Sequence, residues 1–354
     1  MGPLAVAAIA LALAVGAVGG AIFASVAATS IGSLDFVALY SAARLVLLGR
    51  GAAVVDQSAI LEIEHLVAPD RLALLPFVHP PVVAVILAPL AALPLAVAYA
   101  VMVAIGAGAL VAAALLLAPL AQAGQRRVLL AFAILAPSST FALAQGQTSP
   151  LILLAVAASG RVSPYARGLL LGLTWLRPQI APVFAVAALT DRRSALGMGT
   201  SAALIAVASV ALVGIQGASS YIAQLAGAFD WSVTGALGLE RSIGWTGIAV
   251  ATGAGPIGVV LAVASLALAV VLVIRAREQQ RLVLAGPWSL LASPHALLHD
   301  AVLAYPAIAA LATTRGHVAL WCASGVALAA VQLAGVPLLV LWLLALGVAV
   351  ARRA

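Results

Sequence analysis

The chain has 354 residues, of which 65% are hydrophobic and only 8% are charged. Together with a mean hydropathy of +1.22, this composition excludes a soluble globular domain, where about 25% of residues are charged, and predicts a polytopic membrane protein. The formal net charge of +7 does not indicate nucleic-acid binding, because the basic residues are scattered between apolar runs rather than gathered in a patch.

Apolar runs recur along the whole chain, and a membrane crossing takes about 20 residues. They predict an all-α fold of about 10 to 12 membrane helices, including broken or re-entrant ones, within a single integral membrane domain over residues 1–354. The first run has no basic segment before it and is expected to be a retained helix rather than a removed signal peptide. The runs lie at about 4–27, 94–121, 128–144, 148–160, 195–215, 256–275, 282–298, 300–314, 318–334 and 337–351.

Prolines interrupt two further apolar stretches. Pro80 and Pro81 open the first stretch, and Arg177 with Pro178 divides the second, which runs over residues 168–189. Proline removes a backbone donor, and irregular backbone at membrane depth must line a cavity or be buried in protein. Both stretches are therefore predicted to be broken helices beside a site.

The charges divide between the two membrane faces. Twelve arginines fall in short connections that alternate with acid-bearing ones, and the positive-inside rule assigns those arginines to the cytoplasm. Eight of the ten acids then lie on the outer side, together with four histidines. Two sizeable outer loops, at about 28–80 and 216–245, are expected to form the extracytoplasmic face of a site.

Asp35 is the first acid of the chain and follows its first membrane-length apolar run. An uncompensated carboxylate there would be costly, which indicates a function. The surrounding residues 33–44, with Tyr40 and Arg44, are predicted to form an amphipathic stretch on the membrane face.

Two polar motifs lie near the middle of the chain. Gln145 and Gln147 flank Gly146 and offer amides suited to sugar or phosphate, although a capped turn with Thr148 or Ser149 as N-cap explains the same residues. Arg177, followed by Gln179, needs an anionic partner or a wet cavity. A lipid phosphate would satisfy Arg177, and so would a structural pair with an internal acid such as Asp300 or snorkelling to the interface.

Histidines supply the remaining candidates. His79 precedes the paired prolines and could lie near a headgroup or simply mark a loop-to-helix junction. His295 and His299 share a face if their segment is helical, and they come with Asp300. A zinc site would need a third ligand, so hydrogen bonding to substrate is favoured over metal, and no cofactor is expected.

Two residues stand apart from these motifs. Arg241 could clamp an anion from the second outer loop or be an ordinary surface charge. The single cysteine, Cys322, excludes an intramolecular disulfide and is expected to pack as a small apolar residue.

The order of these landmarks resembles the polyprenol-phosphate-mannose-dependent mannosyltransferases of glycosyltransferase family 87, which are C-type membrane glycosyltransferases. The resemblance rests on motifs spread over most of the chain: Asp35 with Tyr40, Gly49-Arg50-Gly51, His79-Pro80-Pro81, Ala88-Pro89-Leu90, Gln145-Gly146-Gln147, Arg177-Pro178, and Ser293-Pro294-His295 with Asp300. Two residues depart from the family pattern, since His79 replaces an aromatic residue and Arg177 replaces a lysine.

The resemblance implies an extracytoplasmic active site in the bacterial plasma membrane, with Asp35 as the catalytic base. It implies transfer of a sugar, mannose by analogy, from a polyprenyl-phosphate donor to a glycolipid or glycan acceptor. An inverting step would use one base and cations for the leaving phosphate, for which Arg177, His295, His299 and Arg241 are candidates. A secondary transporter or flippase also fits broken helices with buried charge, and a non-catalytic scaffold is a third interpretation.

Overall fold

The structure is a computed structural model that describes residues 31–69, 74–226 and 239–353. Within these ranges every regular element is a helix. The predicted first crossing, at about 4–27, lies outside the described residues. The α-helices are α1 Phe36–Leu47, α2 Gln57–Val67, α3 Val82–Ala91, α4 Leu95–Leu117, α5 Arg126–Leu135, α6 Pro137–Ala144, α7 Ser149–Ser159, α8 Pro164–Gly172, α9 Ala181–Leu189, α10 Arg192–Ala226, α11 Trp245–Ala251, α12 Gly255–Arg275, α13 Glu278–Ala292, α14 Tyr305–Leu311, α15 Arg315–Leu333 and α16 Leu339–Ala351.

Five of the described helical stretches are long and apolar enough to cross a membrane. Five more apolar helices are shorter, and α7, with 11 residues, is about 16 Å long against a hydrocarbon core of about 30 Å. The predicted helical membrane protein is therefore confirmed as a class, while the count of 10 to 12 helices stays a prediction. The long stretches are Leu95–Leu120, Ala123–Ala144, Arg192–Ala226, Gly255–Arg275 and Gly316–Leu333.

Helix breaks fall at the paired prolines and at Arg177, as the sequence predicts, whereas Pro89 lies inside α3 and does not end it. α3 begins directly after Pro81, and Arg177 leaves helical geometry with φ −132° and ψ 80° between a 3-10 helix, Leu173–Leu176, and α9. A further break falls at Ala136, whose ψ of 147° follows from the steric demand of the next residue, Pro137. α10 is also interrupted, at Gly214, and continues as helix into the second predicted outer loop.

The prediction for residues 33–44 was wrong, because α1 is not an amphipathic helix lying on the surface. Nine of its twelve residues are buried, and it packs against α2 and α3. Burial extends to Tyr40 and Ser41 on the more polar side of the helix as well as to its apolar residues. Its two long polar side chains secure the α3–α4 connection: Tyr40 donates to the Leu93 carbonyl (2.8 Å) and Arg44 to the Ala91 carbonyl (3.1 Å).

Two apolar clusters form the core. The smaller contains residues of α1, α2, α3 and the first half of α4, and the larger contains residues of α5–α9 and α12–α16. Leu176 packs against both clusters and immediately precedes the break at Arg177. The polar break therefore lies where the two clusters meet.

α8 and α10 approach each other through small residues. A Cβ atom added at Gly168 would lie 1.9 Å from the Ser194 carbonyl oxygen, and one added at Gly197 would lie 2.1 Å from the Tyr165 carbonyl oxygen. Gly172 faces Ser201 in the same way, at 2.3 Å. Small residues four positions apart let membrane helices pack backbone to backbone, and this contact fixes the direction in which the chain reaches Arg177.

Replacing Gly168 by valine is expected to destabilise the protein by about 1–3 kcal/mol, because the side chain has no space and the backbones must separate. Thermal unfolding of the purified protein in detergent would measure the change. Gly199→Val on α10 is the control, since an added Cβ there meets nothing within 4 Å. Equal melting temperatures for the two variants would contradict the close contact.

Candidate functional site

A small cavity of about 90 Å³ lies at the meeting point of the two clusters. It collects side chains from segments that are far apart in the sequence. Seven of the predicted site residues line it: Asp35, His79, Gln147, Arg177, Gln179, His295 and His299.

The Gln145–Gln147 turn holds Asp35 at the start of α1. The Gln145 side-chain carbonyl accepts from the Asp35 backbone N–H (2.9 Å), and the Gln145 backbone carbonyl accepts from the Phe36 N–H (3.0 Å). The Gln147 amide donates to the Asp35 carboxylate (2.7 Å). Main chain and side chain of Asp35 are thus both positioned by one turn from the neighbouring helix pair, α6–α7.

Gly146 makes this turn possible for two separate reasons. Its φ of +64° lies in the left-handed region, which costs a residue with a Cβ atom free energy. A Cβ would also lie 2.8 Å from the Cβ of Phe36. A side chain at this position would therefore push the turn away from α1 and from Asp35.

Arg177 is buried and lies within a network of polar partners. One terminal nitrogen donates to Ser149 Oγ (2.6 Å) and to the Gln147 carbonyl (3.3 Å), and the same nitrogen lies 3.1 Å from an Asp300 oxygen. The other terminal nitrogen donates to His299 Nε2 (3.0 Å) and to Asp300 (3.3 Å). Gln147 consequently joins the Asp35 carboxylate to the Arg177 network.

Asp300 neutralises the guanidinium from behind the cavity. Besides Arg177, it accepts from the Ser149 hydroxyl (2.8 Å) and from the Leu297 backbone N–H (3.1 Å). A buried charge is tolerated only with such pairing and hydrogen bonding. The ion pair of Arg177 with Asp300, which was one of the alternatives considered from the sequence, is present. Arg177 also lines the cavity.

The histidine rings are positioned as neutral groups. The Nδ1–H of His79 donates to the Leu176 carbonyl (3.1 Å), and burial, followed by the charge of Arg177, lowers the His79 pKa to about 4. His299 must carry its proton on Nδ1, because its Nε2 accepts from Arg177. The ring of His299 stacks on Phe141 with the centroids 6.3 Å apart.

The turn before Asp300 is not helical between Ser293 and Leu297, so His295 and His299 do not share one helix face. They reach the same cavity from a turn and from the 3-10 helix Leu298–Ala304. In the described part of the chain, no three His, Cys, Asp or Glu side chains gather in a way that could hold a metal ion.

The remaining predicted residues do not line the cavity. Tyr40 and Arg44 bind the α3–α4 connection, and the Gln145 side chain accepts from the backbone N–H of Asp35. Arg241 has an 82% exposed side chain, 3.8 Å from its neighbour Glu240.

Two residues that were not predicted as site residues contribute to it. Ser149, considered only as an N-cap, donates to Asp300 and is the first residue of α7, whose N-cap is Thr148. Phe141 supports the His299 ring. Its position two residues after Gln147 was the signal in the sequence that could have indicated Ser149.

Replacing Asp300 by asparagine should destabilise the fold by about 3–5 kcal/mol, because it leaves the buried guanidinium without a counter-charge. Unfolding of the purified protein in mixed micelles would measure the loss.

The control for this substitution is Glu62→Gln, which breaks the exposed pair of Arg50 and Glu62, whose side chains are 42% and 53% exposed. Its effect should be much smaller than that of the Asp300 substitution, because exposed ion pairs contribute little to stability. Equal losses of unfolding free energy in the two variants would show that the buried pair stabilises the fold no more than the exposed pair does.

Comparisons with known proteins identify one family. The sequence model of glycosyltransferase family 87 matches residues 77–298, which is more than half of the 354 residues. The matched range contains His79, Gln147, Arg177 and His295, while Asp35 lies before it. No curated protein and no solved structure matches the chain in the corresponding searches.

Proposed function

We propose that this chain, which belongs to glycosyltransferase family 87 and is therefore a membrane glycosyltransferase, transfers a sugar from a polyprenyl-phosphate donor to a glycolipid or glycan acceptor. Mannose is the proposed sugar, by resemblance to the mannose-dependent members. Family membership makes the chain a transferase, so the transporter and scaffold interpretations are not retained.

The observation that carries the proposal is the shared cavity of a carboxylate and a guanidinium. Asp35 and Arg177 both line it, and the Gln147 side chain contacts both. Transfer from a lipid phosphate needs one group that accepts a proton and one that stabilises negative charge on the departing phosphate. Asp35 can accept the proton and Arg177 can stabilise the negative charge, and both residues line the same cavity.

The proposed reaction is a single displacement at the anomeric carbon. The Asp35 carboxylate takes the proton of the acceptor hydroxyl as its oxygen forms the new bond to that carbon. The bond between the anomeric carbon and the phosphate oxygen breaks, and its electron pair leaves with the polyprenyl phosphate. Asp35 then releases the proton to water, which restores the carboxylate.

The acidic residues around the cavity support the proposal that the sugar is transferred with inversion. Among the described residues that line the cavity, Asp35 is the only carboxylate. A retaining route needs a nucleophile in addition to the acid–base group, and Asp300, the acid that pairs with Arg177, is held by Arg177, Ser149 and Leu297. The geometry therefore favours one direct step.

Arg177, His295 and His299 are proposed to donate hydrogen bonds to the donor phosphate. Neutral His79, whose Nδ1–H is engaged by Leu176, can accept from a donor sugar hydroxyl through Nε2, and Gln147 and Gln179 are proposed to bind other sugar hydroxyls. Pockets for small-molecule ligands usually measure about 300 Å³ or more, whereas this cavity has about 90 Å³. Donor binding is therefore expected to widen the cavity by moving side chains.

The active site is proposed to face the extracytoplasmic side of a bacterial plasma membrane, within one integral membrane domain. α7 and α9 begin near the cavity, and both are followed by arginines, Arg161 after α7 and Arg192 and Arg193 after α9. The positive-inside rule assigns those arginines to the cytoplasm, which supports an outward-facing cavity.

Asp35→Asn should lower transfer by at least about a hundredfold to ten-thousandfold, the contribution of a general base, while donor binding persists. Transfer from radiolabelled polyprenyl-phosphate mannose, together with donor binding, would be measured on reconstituted protein. Glu62→Gln is the matched control, an acid of the same loop outside the cavity. Unchanged turnover in Asp35→Asn would remove this residue from the mechanism.

Labelling from outside the cell tests the orientation. In a Cys322→Ala background, which removes the buried thiol, a cysteine replacing exposed Ser220 should react with a membrane-impermeant maleimide on intact cells. A cysteine replacing exposed Arg193 should react only after permeabilisation. The reverse pattern would place the cavity on the cytoplasmic side.

A further inference from the structure

A second and larger cavity, of about 480 Å³, lies at the opposite ends of helices that reach the first one. The last residues of α7 and α9 and the first residues of α13 line it. α7 and α9 begin near the first cavity, and α13 ends just before the turn that carries His295. About 14–22 Å of helix, at about 1.5 Å per residue, therefore separates the two cavities.

Three arginines line this second cavity: Arg161, Arg167 and Arg281. Arg161 donates to the Leu116 carbonyl (2.9 Å), and Arg281 donates to the Ala276 carbonyl (3.1 Å) and to Thr190 Oγ1 (2.8 Å). Neither of these two guanidinium groups has an acidic partner within 4 Å among the described residues. Both retain N–H groups that can bind an anion.

Two acids in the lining are already engaged. Glu278 forms an ion pair with Arg167. The Asp191 carboxylate accepts from the Ser194 backbone N–H (2.7 Å) at the start of α10, where the helix dipole offsets a negative charge. The charge that remains without compensation in this cavity is therefore positive.

Polar groups without a partner point to a ligand. Ser194 also lines the cavity, is 1% exposed, and its hydroxyl has no hydrogen-bond partner. The Nε of Arg167 is likewise buried without a partner. A buried polar group left unpaired carries a free-energy cost, and an oxygen-rich anion in the cavity could remove it.

The rest of the lining is apolar and reaches the outer surface of the helices. Leu116, Leu171 and Leu282 form part of the wall, and Leu120, also in the lining, is 42% exposed. The volume falls in the range of about 300–1,000 Å³ that is typical of small-molecule sites. A molecule with a phosphate at one end and an apolar attachment fits both parts of this lining.

We propose that the second cavity binds a phosphate group, with Arg161 and Arg281 as its principal ligands, and that the group is the headgroup of an anionic membrane lipid. Basic pockets between membrane helices on the cytoplasmic side are suited to such headgroups. A soluble phosphate could bind the same groups, and the test below distinguishes it from the lipid. The site does not depend on the transfer reaction.

The test uses the full-length protein in phosphatidylcholine nanodiscs, with two separate additions, phosphatidylglycerol and inorganic phosphate, and thermal unfolding as the readout. We expect phosphatidylglycerol to raise the melting temperature of the wild type. In the double variant Arg161→Gln/Arg281→Gln the apparent affinity should fall about tenfold or more, because charge-assisted contacts are lost. Arg193→Gln, an exposed arginine outside the cavity, should behave as the wild type.

A second measurement needs no variant. A photoactivatable phosphatidylglycerol should cross-link to peptides from Leu116–Leu120 or Glu278–Leu282 of the wild type, and excess phosphatidylglycerol should reduce this labelling. If inorganic phosphate raised the melting temperature of the wild type but not of the double variant, the phosphate site would be supported and its ligand would be a soluble phosphate rather than a lipid. No shift in either arm, equal shifts in wild type and double variant, or cross-links confined to other segments would overturn the proposal.

Discussion

The structure depends on satisfying one guanidinium in an apolar interior. Arg177 is 5% exposed, and burying an uncompensated charge would cost several kcal/mol or more. The partners that prevent this come from two separate segments: Gln147 and Ser149 at the start of α7, and His299 and Asp300 in a 3-10 helix. Each segment has to stop or begin at the same depth, so this single charge sets the register of helices that are distant in sequence.

Irregular backbone and buried charge support each other here. Where the chain leaves helical geometry at Arg177 and at Ser293–Leu297, backbone groups lose their helical partners, and polar side chains are then available to bind them. Asp300 illustrates this, because it accepts from the Leu297 N–H and also neutralises Arg177. A site made from helix ends can therefore exist inside an otherwise apolar protein at limited cost.

The sequence predicted the class of fold, the break at Arg177 and a set of polar residues, seven of which line one cavity. These succeeded because prolines and isolated charges act locally and leave a visible mark in an apolar chain. The burial of α1 was not predictable from its own residues, since it results from helices that cover it on several sides. Ser149 and the second cavity were also missed, because hydroxyls and interhelical spaces depend on packing between distant segments.

Gln147 separates the two charged groups of the cavity, the Asp35 carboxylate and the Arg177 guanidinium. Its amide nitrogen contacts the carboxylate of Asp35 and its oxygen contacts Arg177, so an uncharged dipole is inserted between opposite charges. If Asp35 and Arg177 formed a direct ion pair, the guanidinium would occupy the carboxylate's lone pairs and lower the affinity of Asp35 for a proton. Because the Gln147 amide lies between them, the Asp35 carboxylate and the Arg177 guanidinium each keep a hydrogen bond without contacting one another. A glutamate of the same length could not serve in this way, since it would repel Asp35 and draw the cation toward itself.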